Sequence, residues 1–282
     1  MNPIVLYTLW SLVALAAIFA VSRLLVPWLL RKRGVYLRRR TMFGPALVFV
    51  AQDEDGSDVR LLNVGGAFQS ATYTSDELRH ELVCVYHRNF AEVMRAAGLR
   101  EGRAVVMGGG GYSFPRWLGV HTRLQVEAVE IDPAVTELAR EFFYLDDACA
   151  RAEGRLVPVT DDAWHFLQTT DARYDLVVND AFSRNKPLGP MATEPGARII
   201  HERLAADGLY LANVIAPLEG RKAQVLHDTL SVFAAEFAHV YVIPERPEEP
   251  RRAACNVMVA CDRALDLSGV EGARELRDGL AP

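Results

Sequence analysis

Apolar residues fill the start of the chain without interruption and afterwards recur in short, regularly spaced runs. Residues 4–22, which make up 19 positions, contain no charged side chain. A helix of that length is about 28 Å long, which is enough to span the hydrocarbon core of a bilayer. The pattern therefore predicts an N-terminal transmembrane helix.

The charges around this run set the expected orientation of the helix. The run is followed by the basic segment RKRGVYLRRR, which brings the anchor and its basic collar to residues 1–40. A secretory signal peptide has its positive charges first, so an uncleaved single-pass anchor is favoured. The positive-inside rule then places the body in the cytoplasm. A buried or interfacial helix is the alternative, to which Arg23 and Pro27 leave some room.

Short apolar runs after the collar predict a small β-meander in residues 41–75. Three strand-like runs, separated by turn sequences, cover residues 46–51, 60–64 and 68–73. Residues 76–98 then show apolar side chains at helical spacing, with Ser75 as a candidate N-cap. The meander is therefore expected to lead directly into a helix.

From residue 103 onward, buried strands alternate with helices. Strands are predicted at residues 104–107, 124–131, 155–159, 174–179, 209–215, 240–243 and 256–260. Helices are predicted at residues 133–144, 163–169, 197–204 and 220–237. Such alternation predicts an α/β fold with a parallel sheet covered on both faces. The last two strands lack an intervening helix, which predicts an antiparallel edge. The α/β domain is expected to cover residues 76–265, and residues 266–282 a polar tail.

The charges divide between the collar and the body. Residues 1–40 carry seven basic side chains and no acidic one, whereas the other residues carry 24 basic and 36 acidic side chains. A body with this acidic excess lacks the basic face that nucleic-acid binding requires. The basic collar beside an apolar helix indicates an anionic membrane surface instead. With 50% hydrophobic residues, the chain is also expected to be folded rather than disordered.

Neither the cysteines nor the histidines show metal-ligand spacing. The four cysteines, Cys84, Cys149, Cys255 and Cys261, include no CxxC pair. A zinc site and a disulfide framework are therefore not indicated, and free thiols are expected. The histidines outside the expected pocket, His87 among them, likewise have no ligand spacing.

Two features at the ends of the first two sheet strands indicate a ligand site. The first strand runs into Gly108, Gly109, Gly110 and Gly111, and a strand that ends in glycines lets a ligand lie against bare backbone. The second strand ends at Glu130. A carboxylate there can accept both hydroxyl hydrogens of a ribose. A tight turn and a helix cap are the respective alternatives.

Two more carboxylates follow the next strands. Asp162 comes after the third strand, where it can accept an amino proton of adenine or cap the following helix. Asp180 ends the fourth strand in YDLVVNDAF. Because the carboxyl ends of parallel strands share one edge of the sheet, these groups are expected to meet in one crevice.

These motifs resemble the spermidine synthase (polyamine aminopropyltransferase) family, and within it the membrane-associated spermidine-synthase-like branch. The resemblance covers residues 59–215 and is strongest in VVMGGGGYSFPR, VEAVEIDP and YDLVVNDAF. It implies a Rossmann-like, class I methyltransferase-type sheet that binds decarboxylated S-adenosylmethionine or S-adenosylmethionine. It also implies that Glu130 binds the ribose, that Asp162 binds the adenine and that Gln69 lies beside the nucleoside. The catalytic carboxylate implied by the resemblance is Asp180.

The chain departs from the family at the acceptor end of the site. In the Gly-Gly-Gly-Asp-Gly loop of the family, Gly111 replaces the Asp that grips the aminopropyl ammonium. Arg79 replaces the tyrosine of the family's Tyr-His-Glu, and Ser183 replaces a second carboxylate after the fourth strand. The remaining candidates for acceptor contacts are His80, Glu81, Tyr112 and Ser183. The resemblance therefore covers the donor half of the site better than the acceptor half.

Three functions remain open from the sequence. The first is aminopropyl transfer to a small amine or other nucleophile, by displacement at the carbon beside a sulfonium, with Asp180 orienting or deprotonating the amine. The second is methyl transfer from S-adenosylmethionine, which Gly111 favours and for which Tyr112, Ser113 and Arg116 would grip the carboxylate of the donor. The third is a non-catalytic, membrane-tethered nucleoside-binding protein. By family analogy a homodimer is expected.

Overall fold

A single N-terminal helix precedes a β-meander and a large α/β sheet. The structure, a computed structural model, describes residues 3–183 and 186–276. Helix α1 spans Pro3–Lys32 and ends in the basic pair Arg31 and Lys32. Within it, Tyr7–Lys32 has a mean hydropathy of 2.2 and none of that window is buried. By length and composition, α1 is therefore able to cross a membrane.

The meander contains one more strand than the sequence predicts. Its four antiparallel strands, in the order in which they lie in the sheet, are β1 (Tyr36–Thr41), β2 (Gly44–Gln52), β3 (Asp58–Val64) and β4 (Ala67–Tyr73). The second half of the predicted basic collar is thus a strand, in which Tyr36 pairs with Val48 and Arg38 with Ala46. The arginine Arg38 is accommodated because Glu137 lies 2.7 Å away as its ion-pair partner.

The helix after the meander begins later than expected. Helix α2 spans Val85–Ala96, and the residues before it form turns in which Ser75 accepts only the backbone N–H of Leu78, at 3.3 Å. The carbonyl of Arg79 instead accepts the Thr72 hydroxyl at 3.0 Å and the Arg116 guanidinium at 2.8 Å. Tertiary donors therefore occupy a carbonyl that a longer helix would use.

The large sheet alternates with helices as the sequence predicts. Its strands and the short ribbon beside it are β5 (Glu101–Met107), β6 (Arg123–Glu130), β7 (Leu156–Thr160), β8 (Tyr174–Asn179), the ribbon β9 (Phe182–Ser183) and β10 (Lys186–Pro187), β11 (Leu204–Ala216), β12 (His239–Ile243), β13 (Ala254–Cys261) and β14 (Arg274–Glu275). The helices are α3 (Ser113–His121), α4 (Pro133–Phe142), α5 (Leu145–Arg151), α6 (Ala163–Thr169), α7 (Glu194–Arg203) and α8 (Gln224–Ala234).

The strand order confirms the predicted fold class. The sheet runs β14-β12-β13-β11-β8-β5-β6-β7. Strands β7, β6, β5, β8 and β11 pair in parallel, whereas β13 is antiparallel to both β11 and β12. The predicted antiparallel edge is therefore present, and β14, which the sequence left in the tail, extends it.

Two apolar cores lie on opposite faces of this sheet. Alternate residues of β5 serve each face: Val106 packs in the core on the meander side, and Val105 packs in the core of α6, α7 and α8. Both side chains are fully buried. Burial on both faces explains why the central strands read as continuous apolar runs.

One carboxylate fastens the meander to the large sheet. Asp132 accepts the N–H of Ala134 at 2.9 Å as the N-cap of α4, and its second oxygen accepts the N–H of Met42 at 2.6 Å. The side chain of Asp132 is 2% exposed. Further along α4, the Tyr36 ring lies 4.7 Å from that of Phe142. Strand β1 therefore runs antiparallel to α4, with the β1–β2 turn at the helix N-terminus.

The double role of Asp132 predicts a graded loss of stability. Asp132→Ala removes a cap and leaves the Met42 N–H without its acceptor, so the free energy of unfolding is expected to fall by about 2–3 kcal/mol. Asp132→Ser keeps a good cap but cannot reach Met42, and it is expected to cost about half as much. Urea unfolding measures both. Equal losses in the two variants would show that the contact with the meander contributes nothing.

Candidate active site

The glycine loop after β5 touches the end of β8 backbone to backbone. Gly108 has a φ of +97°, and a Cβ placed there would lie 2.5 Å from the carbonyl oxygen of Asp180. The Asp180 N–H in turn donates to the Met107 carbonyl at 2.8 Å. Only glycine meets both demands, because it tolerates a positive φ and carries no side chain. The loop thereby brings the predicted ligand cradle and Asp180 together.

Glu130 holds the same loop from the other side. One carboxylate oxygen accepts the N–H groups of Gly109 at 3.0 Å and Gly110 at 2.9 Å, and the other accepts the Asp132 N–H at 2.9 Å. Burial raises the pKa of this carboxyl, and the three backbone hydrogen bonds oppose that rise. A carboxylate offers about four lone-pair sites, so about one remains for a ligand.

Strand β4 covers the loop on its outer side. The carbonyl oxygen of Gln69 lies 3.3 Å from the point where a Cβ of Gly110 would be, and the Gln69 side chain is half-buried. Next to it, the hydroxyls of Ser70 and Ser113 are 2.8 Å apart, and Ser113 donates to the Ala71 carbonyl at 2.8 Å. Gln69 is therefore placed at the loop, whereas Ser113 joins the meander to α3.

The space beside Gly111 is closed. A Cβ on Gly111 would lie 2.7 Å from the Ser70 hydroxyl oxygen and 2.9 Å from a ring carbon of Phe143. Real Cβ atoms do not approach other atoms so closely. Ser70 and Phe143 therefore occupy the space that an aspartate side chain would need at position 111.

Tyr112, predicted as an acceptor contact, instead packs beneath the loop. Its φ is +55°, its ring is fully buried, and its hydroxyl is 2.8 Å from that of Thr136 in α4. Burial raises the pKa of the phenol. The ring also lies 2.8 Å from where a Cβ of Gly109 would be. In this position Tyr112 supports the loop and does not face an acceptor.

Asp162 follows β7 close to the end of β6, where the N–H of Asp161 donates to the Glu130 carbonyl at 3.3 Å. It is exposed and accepts the His165 N–H at 2.9 Å as the N-cap of α6. Its neighbour Asp161 accepts from the His165 ring at 2.9 Å. The cap occupies one oxygen of Asp162 and leaves the second for a ligand.

Three side chains hold the carboxylate of Asp180. One oxygen of Asp180 accepts the Tyr86 hydroxyl at 3.1 Å and lies 2.9 Å from Nε2 of His87, and the other accepts the Asn213 amide at 3.1 Å. Burial, followed by the charge of Asp180, raises the pKa of Tyr86 well above its ordinary value. The phenol therefore stays neutral and donates its proton to Asp180.

The contact between His87 and Asp180 corrects the expectation that His87 lies outside the pocket. Nδ1 of His87 is buried and has no hydrogen-bond partner, while the ring stacks on Phe114 at 5.6 Å. A proton on Nδ1 would be buried without an acceptor, which favours the neutral tautomer with its proton on Nε2. The sequence signal for this role is weak: His87 shares the buried face of α2 with Phe90 and Met94.

The other predicted acceptor contacts are engaged elsewhere. Nε2 of His80 lies 2.6 Å from Asp147 on α5, and Glu81 lies 3.3 Å from His121 on α3. Burial lowers the pKa of His80. The side chain of Ser183 lies outside the described residues. The described contacts thus place neither His80 nor Glu81 against Asp180.

Arg116 is neither a solvated charge nor a ligand for the carboxylate of a donor. It is 1% exposed, and its guanidinium donates to the Arg79 carbonyl and, at 3.0 Å, to the Thr72 hydroxyl. Burial lowers its pKa to about 10. Arg116 therefore binds the meander to the turns before α2.

Two partly buried thiols lie near Asp180. Burial, followed by the charge of Asp180, raises the pKa of Cys84 to about 12, and burial with the charges of Glu245 and Asp180 does the same for Cys255. Both thiols are therefore neutral near pH 7 and poor nucleophiles. Among residues 3–183 and 186–276, no cluster of three histidine, cysteine, aspartate or glutamate side chains is placed to hold a metal ion.

Comparison with known proteins places this geometry in a family. The family model described as the spermine/spermidine synthase domain matches residues 83–249. A polyamine aminopropyltransferase of Pseudomonas syringae pv. tomato is 29% identical over 132 residues, which are 46% of this chain and 42% of that relative. The match thus spans less than half the length of this relative.

Solved structures show the same fold. A probable spermidine synthase from Corynebacterium glutamicum superposes with a TM-score of 0.68 at 22% identity, covering 86% of this chain and 89% of that one. The spermidine synthase of Thermotoga maritima gives 0.57 at 15% identity, covering 82% and 73%. At these identities the likeness demonstrates the fold alone.

The closed space at Gly111 predicts that an aspartate cannot simply be put back. Gly111→Asp is expected to lower the free energy of unfolding by about 1–3 kcal/mol, because overpacking forces Ser70 and Phe143 to move. Ser70→Gly in the same chain removes one of the two obstacles and is expected to recover part of the loss. Gly269→Asp, where a Cβ meets nothing within 4 Å, is the control and is expected to be neutral. Thermal unfolding that is equal for Gly111→Asp and Gly269→Asp would contradict the prediction.

Proposed function

The chain belongs to the spermine/spermidine synthase family, and we propose that it transfers an aminopropyl group from decarboxylated S-adenosylmethionine to a small amine acceptor. We propose further that α1 anchors it in a membrane with the catalytic body on the cytoplasmic side. The observation that carries the proposal is the carboxylate of Asp180, which Tyr86, His87 and Asn213 fix beside the glycine loop. A transferase of this kind needs an oriented carboxylate beside a nucleoside cradle.

The donor half of the site has groups for the nucleoside of the donor, whereas Gly111 leaves its aminopropyl ammonium without the aspartate of the family. Glu130 keeps about one lone-pair site for a ribose hydroxyl after its three backbone bonds. The glycine loop packs against the backbone of Asp180 and Gln69, and we assign Gln69 to the nucleoside and Asp162 to the adenine amino group. The sulfonium supplies the leaving group, so the work of the protein is positioning.

The transfer step follows from the position of Asp180. The lone pair of a neutral amine attacks the carbon beside the sulfonium. The new C–N bond forms as the C–S bond breaks. The electron pair of the C–S bond stays on sulfur, which becomes a neutral thioether. The amine becomes an ammonium that must lose a proton. Asp180 accepts three hydrogen bonds, which leaves about one lone-pair site to orient the amine N–H and then receive the proton.

The acceptor half of the site favours an acceptor other than a long dication. Ser183 stands where the family has a second carboxylate after the fourth strand, and the thiols of Cys84 and Cys255 are neutral. A second ammonium would lose charge-assisted bonds worth about 1.5–3 kcal/mol each. We therefore propose an acceptor with one reacting amine and little further positive charge.

Calorimetry of the full chain in detergent tests the choice of donor. Decarboxylated S-adenosylmethionine and methylthioadenosine are expected to bind, and S-adenosylmethionine to bind more weakly, because Arg116 is buried and cannot pair with the donor carboxylate. Tighter binding of S-adenosylmethionine than of its decarboxylated form would contradict aminopropyl transfer and support methyl transfer as the function. Failure of all three to bind would leave only a non-catalytic role.

Replacing the central carboxylate tests the mechanism. Asp180→Asn is expected to lower turnover about 10²–10⁴-fold, the range for loss of a proton-transfer group, while methylthioadenosine affinity stays unchanged. Tyr86→Phe removes one of the three donors and is expected to cause a smaller loss. Asp228→Asn, at an exposed position of α8, is the control. Unchanged turnover in Asp180→Asn would remove Asp180 from the chemistry.

A further inference from the structure

One end of the meander exposes large apolar side chains. At the turn between β1 and β2, Met42 is 61% and Phe43 37% exposed, and at the start of β4 Phe68 is 53% exposed. Ala67 beside it is also exposed. These four residues, here called the apolar rim, share the end of the meander at which the backbone of Gly65 bonds to Pro45. A patch of this kind on a domain surface marks a contact with a partner or a membrane.

Strand β1 doubles back along α1. At the foot of the helix, the guanidinium of Arg31 lies 5.3 Å from the centre of the Tyr36 ring. Higher up, a cleft of about 800 Å³ lies between the helix and the meander, lined by Arg23, Leu37, Arg38, Arg40 and Pro45. Successive residues of β1 therefore lie beside successively earlier residues of α1.

Simple lengths place the rim relative to the anchor. From Arg31, which lies beside Tyr36, back to Arg23 the helix rises about 12 Å, at about 1.5 Å per residue. From Tyr36 to Arg40 the strand covers about 13 Å, at about 3.3 Å per residue. Arg40 is thus level with Arg23, which is the first charge after the uncharged stretch 4–22. Met42 and Phe43 lie beyond Arg40, on the side of the uncharged stretch.

We propose that the apolar rim inserts into the interfacial layer of the same anionic bilayer that α1 spans, with Arg23 and Arg40 beside lipid phosphates. The proposal rests on the membrane anchor proposed above. Apolar side chains flanked by basic ones are the composition that binds an anionic lipid surface. Both arginines are exposed, so their guanidinium groups are available to headgroups.

The charge of the meander agrees with this orientation. Its far end carries four acidic side chains, three of them in the turn between β2 and β3 (Asp53, Glu54 and Asp55) and one at the first residue of β3 (Asp58). An anionic surface repels that end and attracts the arginines near the rim. The meander is therefore polarised along its strands, with the rim toward the lipid.

The rim also connects to the donor half of the site. The N–H of Met42 donates to Asp132, and the N–H of Asp132 donates to Glu130, at 2.6 and 2.9 Å. A rim seated in the headgroups turns this carboxyl edge of the sheet, and with it the crevice of Glu130 and Asp180, toward the bilayer.

Fluorescence of the full chain in vesicles tests the placement of the rim. Met42→Trp adds an indole at the rim, and Val50→Trp adds one on the same sheet toward its acidic end, at a site 46% exposed in the present chain. The extra emission is obtained by subtracting that of the unsubstituted chain. In vesicles of phosphatidylcholine and phosphatidylglycerol, the extra emission of Met42→Trp is expected to shift to shorter wavelength and to be lost to brominated acyl chains. That of Val50→Trp is expected to stay unquenched.

The outcomes separate the rim from the anchor. Flotation with the vesicles and quenching of the unsubstituted chain, whose α1 carries Trp10 and Trp28, report the anchor, so their absence would overturn the proposed anchoring. Flotation with equal quenching at both new indoles, or at neither, would overturn the rim proposal. A blue shift of Met42→Trp in detergent that grows with protein concentration would identify a second copy as the occupant, and would also overturn it. Arg40→Gln is expected to reduce the quenching only when phosphatidylglycerol is present.

Discussion

The fold around the site depends on the buried carboxylate of Glu130. A buried charge is tolerated only with hydrogen-bond donors around it, and here all three donors are backbone N–H groups from two separate turns. The carboxylate therefore fixes the glycine loop after β5 and the turn before α4 in one step. Asp132, in the second turn, then caps α4 and holds the β1–β2 turn. The relative positions of sheet, loop and meander follow from this pair of acidic residues.

Local pattern was enough to predict the large sheet. Its central strands are buried on both faces and read as apolar runs, and Glu130, Asp162 and Asp180 stand at or just after the carboxyl ends of parallel strands, which lie at one edge of the sheet. The sequence does not predict strand β1, because its arginines are typical of a solvated basic segment. Arg38 is accommodated in the strand by its ion pair with Glu137 on α4. Strand β14 is two residues long and is defined by its pairing with β12. The local sequence does not predict this pairing.

The surroundings of Asp180 could not be predicted for a related reason. His87 lies 93 positions from Asp180 in sequence, and nothing in its own neighbourhood distinguishes it from a core histidine. For Tyr112 and Arg116 the opposite holds: the sequence predicts ligand contacts, whereas both side chains are buried in the protein. They follow the glycine loop, as ligand-binding residues would, but their partners Thr136 and Thr72 draw them into the core. Spacing along the chain identifies which residues can reach a site, whereas tertiary partners decide which of them do.

The two halves of the site differ in how much charge they retain. On the side of the proposed aminopropyl donor, Glu130 and Asp162 each keep a lone-pair site that can accept a hydrogen bond from a neutral hydroxyl or amino group. Ser70 and Phe143 occupy the space next to Gly111, where the family's aspartate grips the aminopropyl ammonium, and on the acceptor side the thiols near Asp180 stay protonated. Asp180 itself already accepts from three donors, so its remaining capacity suits a single N–H. In the proposed function, this single lone-pair site suits a neutral amine, which is the form in which nitrogen is a nucleophile. In the proposed function, the loss of the second carboxylate at Ser183 therefore disfavours a dicationic acceptor and leaves Asp180 to serve the displacement.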